Sequence, residues 1–434
     1  MARNRIVISD LYFENEQTKI FLGDCQDVLR NNLEENSVDA IVTDPPYGLR
    51  FMGKKWDYQV PGIKIWRECL RVLKPGGHLL SFGGSRTSHR VAVAIEDAGF
   101  EIRDTILWLH GQGFPKSLNV GKAIDKKFGK ERAKIRIPAK MIRNPKSIDS
   151  GHGIEGGDRP WMIKGIERGY HEKDGDIPAS QQAKKWDGWG TQLKPAVEPI
   201  ILARKPFDGS VADNVLKHGT GAMNIDASRV QTDENLNGGG YSPGEASGIW
   251  QDKGGGFDRV GKEYQQPTGR WPANVILSHA EGCKRVGTRK AKGRTINRFT
   301  DGAKPFGNGA GHKFEGEKFP DEEVEVWECS EDCPVRMLDE QSEGVSRFFY
   351  CAKASKKEKT CDGTVENKHV TVKPISLMEY LCKLVAPSGS IILDPFVGSG
   401  TTLVAGLRCG NQVIGIDFEE ENCETTRKRV EFED

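Results

Sequence analysis

The segment Ile41-Val42-Thr43-Asp44-Pro45-Pro46-Tyr47 predicts how this chain folds and where its chemistry lies. The apolar residues before Thr43 are typical of a buried strand. The two prolines lack a backbone N–H and fix φ, so the chain leaves the sheet as a stiff loop. A carboxylate, a free backbone carbonyl and a flat ring then lie at the carboxyl end of a strand, where open α/β sheets bind their ligands. Two acceptors and a stacking ring suit a planar amine, such as the exocyclic amino group of a nucleobase.

Length, charge and cysteine usage narrow the class of protein. The 434 residues are enough for two domains with separate cores. The net charge of +1 excludes a bulk polycation, so any nucleic-acid surface has to be a local patch. No signal-peptide core follows Met1–Arg5, and no apolar run approaches the length of a membrane span. We therefore expect a cytoplasmic protein whose ten cysteines are reduced thiols.

Strand and helix patterns alternate in two separate parts of the chain. This alternation predicts an α/β domain with a parallel, doubly wound sheet, formed by residues 1–130 and 345–434 together. Between them the rhythm fails, and glycine-rich pieces separate a few ordered segments. We expect residues 131–344 to be a second domain, of irregular α+β structure, inserted into the first.

A second motif, Asp394-Pro395-Phe396-Val397-Gly398-Ser399-Gly400-Thr401-Thr402, lies near the far end of the chain. A predicted strand precedes it, and a helix and another strand ending in Asp417 follow it. Gly398 and Gly400 allow the backbone to approach a ligand closely, and the helix N-terminus after them offers free N–H groups. Asp417 stands where nucleotide-binding folds place an acid on ribose hydroxyls. Taken alone, this unit also fits a dinucleotide-binding enzyme.

Together the two motifs resemble those of amino-directed DNA methyltransferases. Asp44-Pro45-Pro46-Tyr47 is similar to the DPPY motif of that family, and the Phe-x-Gly-x-Gly spacing of the second motif is similar to its donor motif. The order of catalytic motif, insertion and donor motif resembles the β group, including site-specific enzymes of phages and prophages. The resemblance implies a Rossmann-like, circularly permuted, S-adenosylmethionine-dependent methyltransferase sheet. It also implies that the inserted domain recognises the target and binds DNA.

The resemblance assigns roles to individual residues. The catalytic set is Asp44, Pro45, Pro46 and Tyr47. The residues expected to bind S-adenosylmethionine are Asp24, Cys25, Lys373, Pro374, Asp394, Phe396, Gly398, Ser399, Gly400, Thr401, Thr402 and Asp417. In the family, a segment like Gly23-Asp24-Cys25 lies beside the adenine of the donor, whereas an ordinary helix N-cap explains Asp24 equally well.

The implied reaction is methyl transfer to the exocyclic amine of a base flipped out of double-stranded DNA. Hydrogen bonds from the amine to Asp44 and to the Pro45 carbonyl would localise the nitrogen lone pair for in-line attack. An Asp at the head of the motif favours adenine N6, with cytosine N4 as the alternative. The chain has no Pro-Cys dipeptide of the kind that carries the nucleophile of cytosine-C5 enzymes. A catalytically inactive DNA-binding protein with the same fold is an alternative of another class.

The same resemblance places the protein on DNA in a bacterial or phage-infected cell, in restriction-modification or phage DNA methylation. No membrane partner is expected. The oligomeric state stays open between a monomer and a homodimer.

A basic run in the predicted inserted domain is the candidate DNA contact. Residues 284 to 298 contain no acid. The residues expected to contact phosphates are Lys284, Arg285, Arg289, Lys290, Lys292 and Arg294. A solvated loop is the alternative, because that is the usual fate of a charge run.

Two short pairs of metal-binding residue types predict a structural zinc site. The pairs are His279-x3-Cys283 and Cys329-x3-Cys333, and three thiols with one imidazole make a complete tetrahedral set. A metal would fix the base of the long glycine-rich loop between the pairs. The alternative is four ordinary residues, with the cysteines buried as small hydrophobic side chains.

Overall fold

The computed structural model describes residues 10–50, 55–111, 117–138, 168, 170–232, 269–280, 283–291, 295–296, 317–318, 322–331, 333–342, 345–352, 365, 367 and 372–433. The chain divides into two compact units. The first unit comprises Met1–Gly111, Val197–Val365 and Val372–Asp434, and the second comprises Gln112–Ala196 and Glu366–Thr371.

The described strands and helices are as follows. The strands are β1 (Asp10–Glu14), β2 (Thr18–Leu22), β3 (Val38–Thr43), β4 (Leu73–Phe82), β5 (Glu101–Leu109), β6 (Lys134–Pro138), β7 (Tyr170–Asp174), β8 (Val197–Arg204), β9 (Val230–Gln231), β10 (Gly269–Arg270), β11 (Val275–Ser278), β12 (Lys284–Ala291), β13 (Thr295–Ile296), β14 (Glu317–Lys318), β15 (Glu322–Glu328), β16 (Tyr350–Ala352), β17 (Ile391–Asp394) and β18 (Gln412–Asp417). The α-helices are Cys25–Asn32, Ile63–Val72, Ser88–Asp97, Val120–Lys127, Gln181–Lys184, Val211–His218, Pro334–Gln341, Ile375–Val385, Thr401–Arg408 and Glu420–Glu431. Short 3-10 helices lie at Lys55–Asp57, Asp226–Ser228 and Val345–Phe348. In the described part of the chain, no helix is both long and apolar enough to cross a membrane.

Ten of the described strands form one sheet in the first unit, in the order β1-β2-β18-β17-β3-β4-β8-β5-β11-β16. The strands β2, β18, β17, β3 and β4 pair with one another in parallel. Parallel strands run in the same direction, so their carboxyl ends lie at the same edge of the sheet. The loops that follow Leu22, Thr43, Phe82, Asp394 and Asp417 therefore meet at one edge of the sheet.

Two apolar layers cover the sheet, one on each face. Alternate residues of β3 divide between them, because successive strand residues point to opposite faces. Ala40 and Val42 pack in the layer that contains the helices Ile375–Val385 and Thr401–Arg408. Ile41 packs in the layer that contains the helices Cys25–Asn32, Ile63–Val72 and Ser88–Asp97. All of β3 is buried, which is typical of a parallel strand covered on both faces.

The strand β8 corrects the predicted domain boundaries. It runs antiparallel between β4 and β5, and Ile200–Ala203 are buried in the core of the first unit. β11 also belongs to this sheet and pairs with β5. Residues 131–344 are therefore not a separate inserted domain. The apolar pattern at 197–204 predicts a strand but not its partners, because strands that pair can be far apart in the sequence.

The antiparallel direction of β8 has a consequence for the site. Phe82, at the carboxyl end of β4, pairs with Ile200 near the amino end of β8. Glu198 therefore lies at the same edge of the sheet as the loops that follow the parallel strands.

The second unit has its own small polar core. Arg132 Nε donates to Asp125 Oδ2 at 2.7 Å, and both side chains are almost fully buried. The Ser180 hydroxyl donates to Asp125 Oδ1 at 2.7 Å, and β6 and β7 form an antiparallel ribbon. Because Arg132 is paired inside this core, its charge is not part of a basic surface.

Candidate active site

A hydrogen bond joins the two predicted motifs. Thr43, the last residue of β3, donates from Oγ1 to Asp394 Oδ1, at the end of the neighbouring strand β17, over 2.6 Å. The loops that begin at Asp44 and at Pro395 are thus anchored to each other. The sequence separates these two residues by 351 positions, and strand pairing brings them together.

Four side chains at this edge form a connected polar group, the lysine cluster: Asp44, Tyr47, Glu198 and Lys373. The Lys373 ammonium donates to Asp44 Oδ2 at 2.6 Å and lies 3.2 Å from Glu198 Oε2. The Tyr47 hydroxyl is 2.7 Å from Asp44 Oδ1 and 2.8 Å from Glu198 Oε2, so two carboxylates compete for its single proton. Each Asp44 oxygen keeps a lone pair for one further donor. Lys373 thus lies with the catalytic motif, whereas the family resemblance implies a contact with the donor.

Burial and charge set the protonation of the lysine cluster. Burial by itself lowers the pKa of Lys373, but attraction to Asp44 and Glu198 outweighs it and raises that pKa. Burial opposes ionisation of Glu198, yet the Lys373 charge and the contact with His110 lower its pKa to about 2. Burial and the adjacent carboxylates raise the pKa of Tyr47 well above its usual value, so its hydroxyl remains protonated. At neutral pH the cluster therefore holds a buried ammonium against carboxylate charge, an arrangement that is stable only while its partners are present.

Glu198 and His110 are site residues that the sequence motifs do not reveal. His110 Nε2 lies 3.4 Å from Glu198 Oε1, and its ring packs on Trp108 with centroids 4.7 Å apart. Trp108 is fixed in turn, because its indole N–H donates to Ser278 Oγ at 2.9 Å. Glu198 is a single acid at the start of the apolar strand β8, and no catalytic motif in the sequence identifies it. Only the pairing of β8 with β4 and β5 brings it to Asp44.

The loop after β17, residues 395–400, is the glycine loop. Gly398 and Gly400 have φ values of +53° and +81°, a region that favours glycine. A Cβ on Gly400 would lie 2.7 Å from Thr426 Cγ2. The loop therefore requires glycine at position 400 both for its backbone conformation and for its packing against the helix Glu420–Glu431.

That same helix fixes the shape of the glycine loop through buried hydrogen bonds. Arg429 is fully buried, and its guanidinium donates to the Ser399 carbonyl at 2.6 Å and to Thr401 Oγ1 at 3.0 Å. The Thr426 hydroxyl donates to the Gly398 carbonyl at 3.1 Å. The loop motif does not reveal Arg429, because the arginine lies on a separate helix. These bonds occupy two loop carbonyls, so the protein sets the loop conformation before any ligand binds.

The Asp417 carboxylate accepts hydrogen bonds from backbone N–H groups at the same edge of the sheet. Its Oδ2 accepts the Gly398 N–H at 3.0 Å, and its Oδ1 accepts the Glu419 N–H at 2.9 Å. Burial raises the pKa of Asp417 to about 6, against the effect of these hydrogen bonds. The Asp417 carbonyl also accepts the Gly23 N–H at 2.9 Å, which brings the Gly23-Asp24-Cys25 segment next to it. Asp24 itself caps the helix Cys25–Asn32 by accepting the Gln26 N–H at 2.9 Å.

Asp394 is surrounded by protein donors. Its Oδ1 accepts from Thr43 and from the Phe396 N–H, and its Oδ2 accepts from Thr402 Oγ1 at 2.5 Å. Burial raises the pKa of Asp394 to about 6 even though these hydrogen bonds favour the charged form. Both oxygens therefore hold β3, β17 and the glycine loop together, and the predicted direct contact with a donor molecule is not needed to explain this residue.

The rest of the predicted donor set lies around these groups. Cys25, Ser399, Thr401 and Thr402 are buried, and Pro374 precedes the helix Ile375–Val385. The Phe396 ring packs edge-on against Trp66, with centroids 6.4 Å apart. Within the described residues, the catalytic and donor motifs thus share one edge of the sheet.

The predicted basic run lies outside this edge and takes the form of a strand. Lys284 and Arg285 are exposed on β12, which also includes Arg289 and Lys290, while Lys292 and Arg294 lie outside the described residues. β12 pairs antiparallel with β15, with Lys284 opposite Glu328 and Lys290 opposite Glu323. The basic strand is therefore next to an acidic one, and the acids offset part of its positive charge. The pairing therefore brings the basic run next to an acidic segment that is about forty residues away in the sequence.

The four predicted zinc ligands come together at one point. One ligand atom from each of His279, Cys283, Cys329 and Cys333 lies within 4.8 Å of the others.

The chain matches a family model described as DNA methylase, for N6 and N4 methyltransferases, over residues 38–428. Among curated relatives, the type II methyltransferase M.HpaI of Haemophilus parainfluenzae is 33% identical over 133 residues, which are 26% of this chain and 41% of that protein. The type II methyltransferase M.HindIII of Haemophilus influenzae is 25% identical over 239 residues, which are 44% of this chain and 60% of that protein. The chain thus spans less than two thirds of the length of these relatives.

Solved structures of low sequence identity also align with this chain. The M1.HpyAVI–SAM complex is 16% identical, with a TM-score of 0.38 and coverage of 95% of this chain and 98% of that one. The PvuII DNA methyltransferase (cytosine-N4-specific) is 11% identical, with a TM-score of 0.40 and coverage of 98% and 89%.

Proposed function

Because the chain belongs to the DNA methylase family, we propose that it transfers a methyl group from S-adenosylmethionine to an exocyclic amine of a base in double-stranded DNA. The observation that carries the proposal is the hydrogen bond between Thr43 and Asp394. It fixes a carboxylate suited to an amine beside a glycine loop suited to a nucleoside. Methyl transfer requires these two sites to be adjacent, because the amine attacks the donor in line.

The glycine loop and Asp417 would hold the donor. The positive φ values of Gly398 and Gly400 set the turn of the loop, and Asp417, at the end of β18, is placed for ribose hydroxyls. Asp417 Oδ1 already accepts the Glu419 N–H and the Asn422 amide, and Oδ2 accepts the Gly398 N–H, so a ribose hydroxyl would use the remaining lone pair of Oδ2. S-adenosylmethionine supplies the electrophilic methyl group when it is bound.

Asp44 and the Pro45 carbonyl would accept the two protons of the target amine. That withdraws the nitrogen lone pair from the ring and directs it at the methyl group. Lys373 and Tyr47 each hold one Asp44 oxygen, so the carboxylate is oriented before the base arrives. We assign Lys373 and Glu198 as positioning residues, because they act on the base through Asp44 and Tyr47. The Tyr47 ring would stack on the flipped base, as in other single-nucleotide sites.

Adenine N6 is the proposed target, on the strength of the Asp at the head of the motif. Cytosine N4 is the second candidate, since its exocyclic amine presents the same two protons to Asp44 and Pro45. Purified full-length protein, labelled S-adenosylmethionine and unmethylated genomic DNA test the proposal through nucleoside mass spectrometry. We expect N6-methyladenine. N4-methylcytosine as the sole product rejects the adenine assignment, and donor binding without transfer to any DNA identifies an inactive DNA-binding protein.

The Asp44→Ala variant tests the catalytic assignment directly. It should bind S-adenosylmethionine with unchanged affinity and lose methyl transfer, because the lost acceptor acts only on the amine. Asp97→Ala, an exposed carboxylate on the helix Ser88–Asp97, is the matched control. Turnover by Asp44→Ala at a rate near that of the control would show that Asp44 is not the acceptor.

A further inference from the structure

The four-residue group of His279, Cys283, Cys329 and Cys333 has the dimensions of a tetrahedral metal site. His279 Nδ1 is 3.4 Å from Cys329 Sγ and 3.6 Å from Cys333 Sγ. Zinc bonds of about 2.3 Å to sulfur and about 2.0 Å to nitrogen place N and S ligands roughly 3.5 Å apart at a tetrahedral angle. The two N–S separations agree with this value, and all four ligand atoms lie within 4.8 Å of one another.

The backbone delivers the ligands from the two strands at one end of the β12–β15 ribbon, where Lys284 pairs with Glu328. His279 and Cys283 connect β11 to the start of β12, and Cys329 and Cys333 connect the end of β15 to the helix Pro334–Gln341. The His279 ring stacks on Trp327 with centroids 4.1 Å apart, which fixes its orientation toward the thiols. The surrounding apolar cluster has only four buried members, Leu277, Ala280, Cys333 and Val335, among the described residues. Such a small cluster contributes little to holding a seven- to eight-residue ribbon.

We propose that these four residues bind one structural Zn²⁺ ion at the base of the β12–β15 ribbon. The three thiols bind as thiolates and the imidazole binds through Nδ1, and their protons are released to solvent. Four protein ligands leave no open position for water or substrate, so the metal does not take part in the reaction. Its role is to fix the basic strand β12 to the catalytic sheet through β11.

Metal content tests the proposal without reference to activity. Full-length protein purified without chelator should contain about one zinc per chain by elemental analysis. The Cys329→Ser/Cys333→Ser double variant should contain none. Cys351→Ser is the matched control, since Cys351 packs against the same apolar cluster but is not one of the four ligands. Less than half an equivalent in the wild type, or full occupancy in the double variant, overturns the site.

A second readout keeps the test valid should the double variant fail to fold. Wild-type protein is depleted of metal and titrated with Co²⁺, which gives thiolate charge-transfer and tetrahedral ligand-field bands at a Cys3His site. One equivalent should saturate both bands, and one equivalent of Zn²⁺ should abolish them. Octahedral spectra without thiolate bands contradict the proposal.

A different observation supports a second inference, a phosphate site next to the catalytic loop. A cleft of about 320 Å³ is lined by Gly48, Leu49, Arg50, Arg86, Thr87 and Arg90. All three arginines are exposed, and none pairs with an acid among the described residues. Three unneutralised guanidinium groups around one small cleft repel one another, which is the arrangement expected where an anion binds.

The cleft is tied to the catalytic motif through its backbone. The Thr87 hydroxyl donates to the Tyr47 carbonyl at 2.6 Å. Asp57 is buried, and its carboxylate accepts the N–H groups of Gly48 and Leu49, which holds the backbone that lines the cleft. Arg50 has a φ of +54°, which is rare for a residue with a side chain and is typical of functional loops.

We infer that this arginine cleft binds a backbone phosphate next to the flipped nucleotide. This inference rests on the proposed function and specifies how the DNA is held. An Arg86→Gln/Arg90→Gln variant should bind a random-sequence duplex more weakly and with a salt slope reduced by about one, since each neutralised phosphate contributes about 0.9. Its affinity for S-adenosylmethionine should be unchanged. Arg67→Gln, an exposed arginine on the helix Ile63–Val72, is the matched control.

Two failures are distinguishable in this experiment. Wild-type protein that binds no duplex would refute the proposed function itself. Wild-type binding and methyl transfer together with an unchanged salt slope in the double variant would refute only the arginine cleft.

Discussion

Replacement of Lys373 by methionine tests the electrostatic design of the site. The change keeps most of the side-chain volume and removes the buried ammonium between Asp44 and Glu198. The pKa of Glu198 falls from 4.5 to about 2 in the folded protein, which corresponds to about 3 kcal/mol at about 1.4 kcal/mol for each tenfold change. Lys373 is the largest of the contacts that lower this pKa. His110 and Tyr47 also lower this pKa and burial raises it, so the net shift is not the contribution of Lys373 alone. Removal of one partner from a buried ion pair costs about 3–5 kcal/mol, and we expect Lys373→Met to lose about this much unfolding free energy at pH 7.

The stability difference between the wild type and Lys373→Met should depend on pH in a defined direction. In the wild type, the lowered pKa of Glu198 stabilises the fold above pH 4.5, and that stabilisation is lost as pH falls toward 2. In the variant, burial without a counter-ion raises the pKa of Glu198, so protonation begins to stabilise it at a higher pH. The stability gap between wild type and variant should therefore be largest at pH 7 to 8 and narrower at pH 5.

Thermal unfolding of the full chain at pH 5, 6, 7 and 8 measures the gap. Lys383→Met, on the helix Ile375–Val385, is the control, because its ammonium is about half exposed and lies 3.9 Å from Glu379. Surface pairs of this kind contribute about 0–1 kcal/mol. A gap that widens toward pH 5, or a loss no larger than that of the control, would refute this account of the lysine cluster.

Three further predictions concern the donor loop and the ribbon. Asp417→Ala should weaken S-adenosylmethionine binding more than it lowers the maximal rate, because ribose contacts are the same in the ground and transition states. A binding titration measures the affinity and steady-state kinetics measure the maximal rate. A loss confined to the maximal rate would contradict this role of Asp417. Gly400→Ala should lower stability and donor affinity more than Gly389→Ala. Both glycines have φ above +80°, but only at position 400 would a Cβ contact Thr426. Equal losses of stability and donor affinity in the two variants would exclude the clash as the cause. Reversal of Arg289, Lys290 and Lys292 to Glu should weaken duplex binding and flatten its salt dependence, and an unchanged slope in a binding titration would remove the basic run from the DNA contacts.

The family and the fold class are predictable from two short motifs, and both predictions are confirmed. Asp44-Pro45-Pro46-Tyr47 and the loop through Gly398 and Gly400 each place a chemical group at the end of an apolar run. Such local patterns predict the structure correctly because they reflect the backbone conformation that the segment itself must adopt. Gly400, for example, adopts a positive φ and packs too closely for any side chain.

The remainder of the site depends on pairing between distant segments. Glu198 reaches Asp44 because β8 runs against its neighbours, and no periodicity in the sequence indicates strand direction. Arg429 holds Ser399 from a separate helix, and Lys373 lies beside Asp44 although the family resemblance implies a contact with the donor. The domain boundary was misplaced for the same reason, since β8 and β11 look alike whether they belong to an insertion or to the main sheet.

The order of strands in the sheet limits how much of the sheet can form while the chain is being synthesised. β2 and β3 follow each other in the chain, yet β18 and β17 lie between them. A growing polypeptide that has not reached residue 391 therefore exposes two unpaired, mostly apolar strand edges in place of a continuous sheet. Such edges are templates for aggregation until β17 and β18 have been synthesised and can pair with them. A product truncated before β17 would keep the four residues of the lysine cluster but lack the glycine loop and Asp417, so we expect it to bind no S-adenosylmethionine.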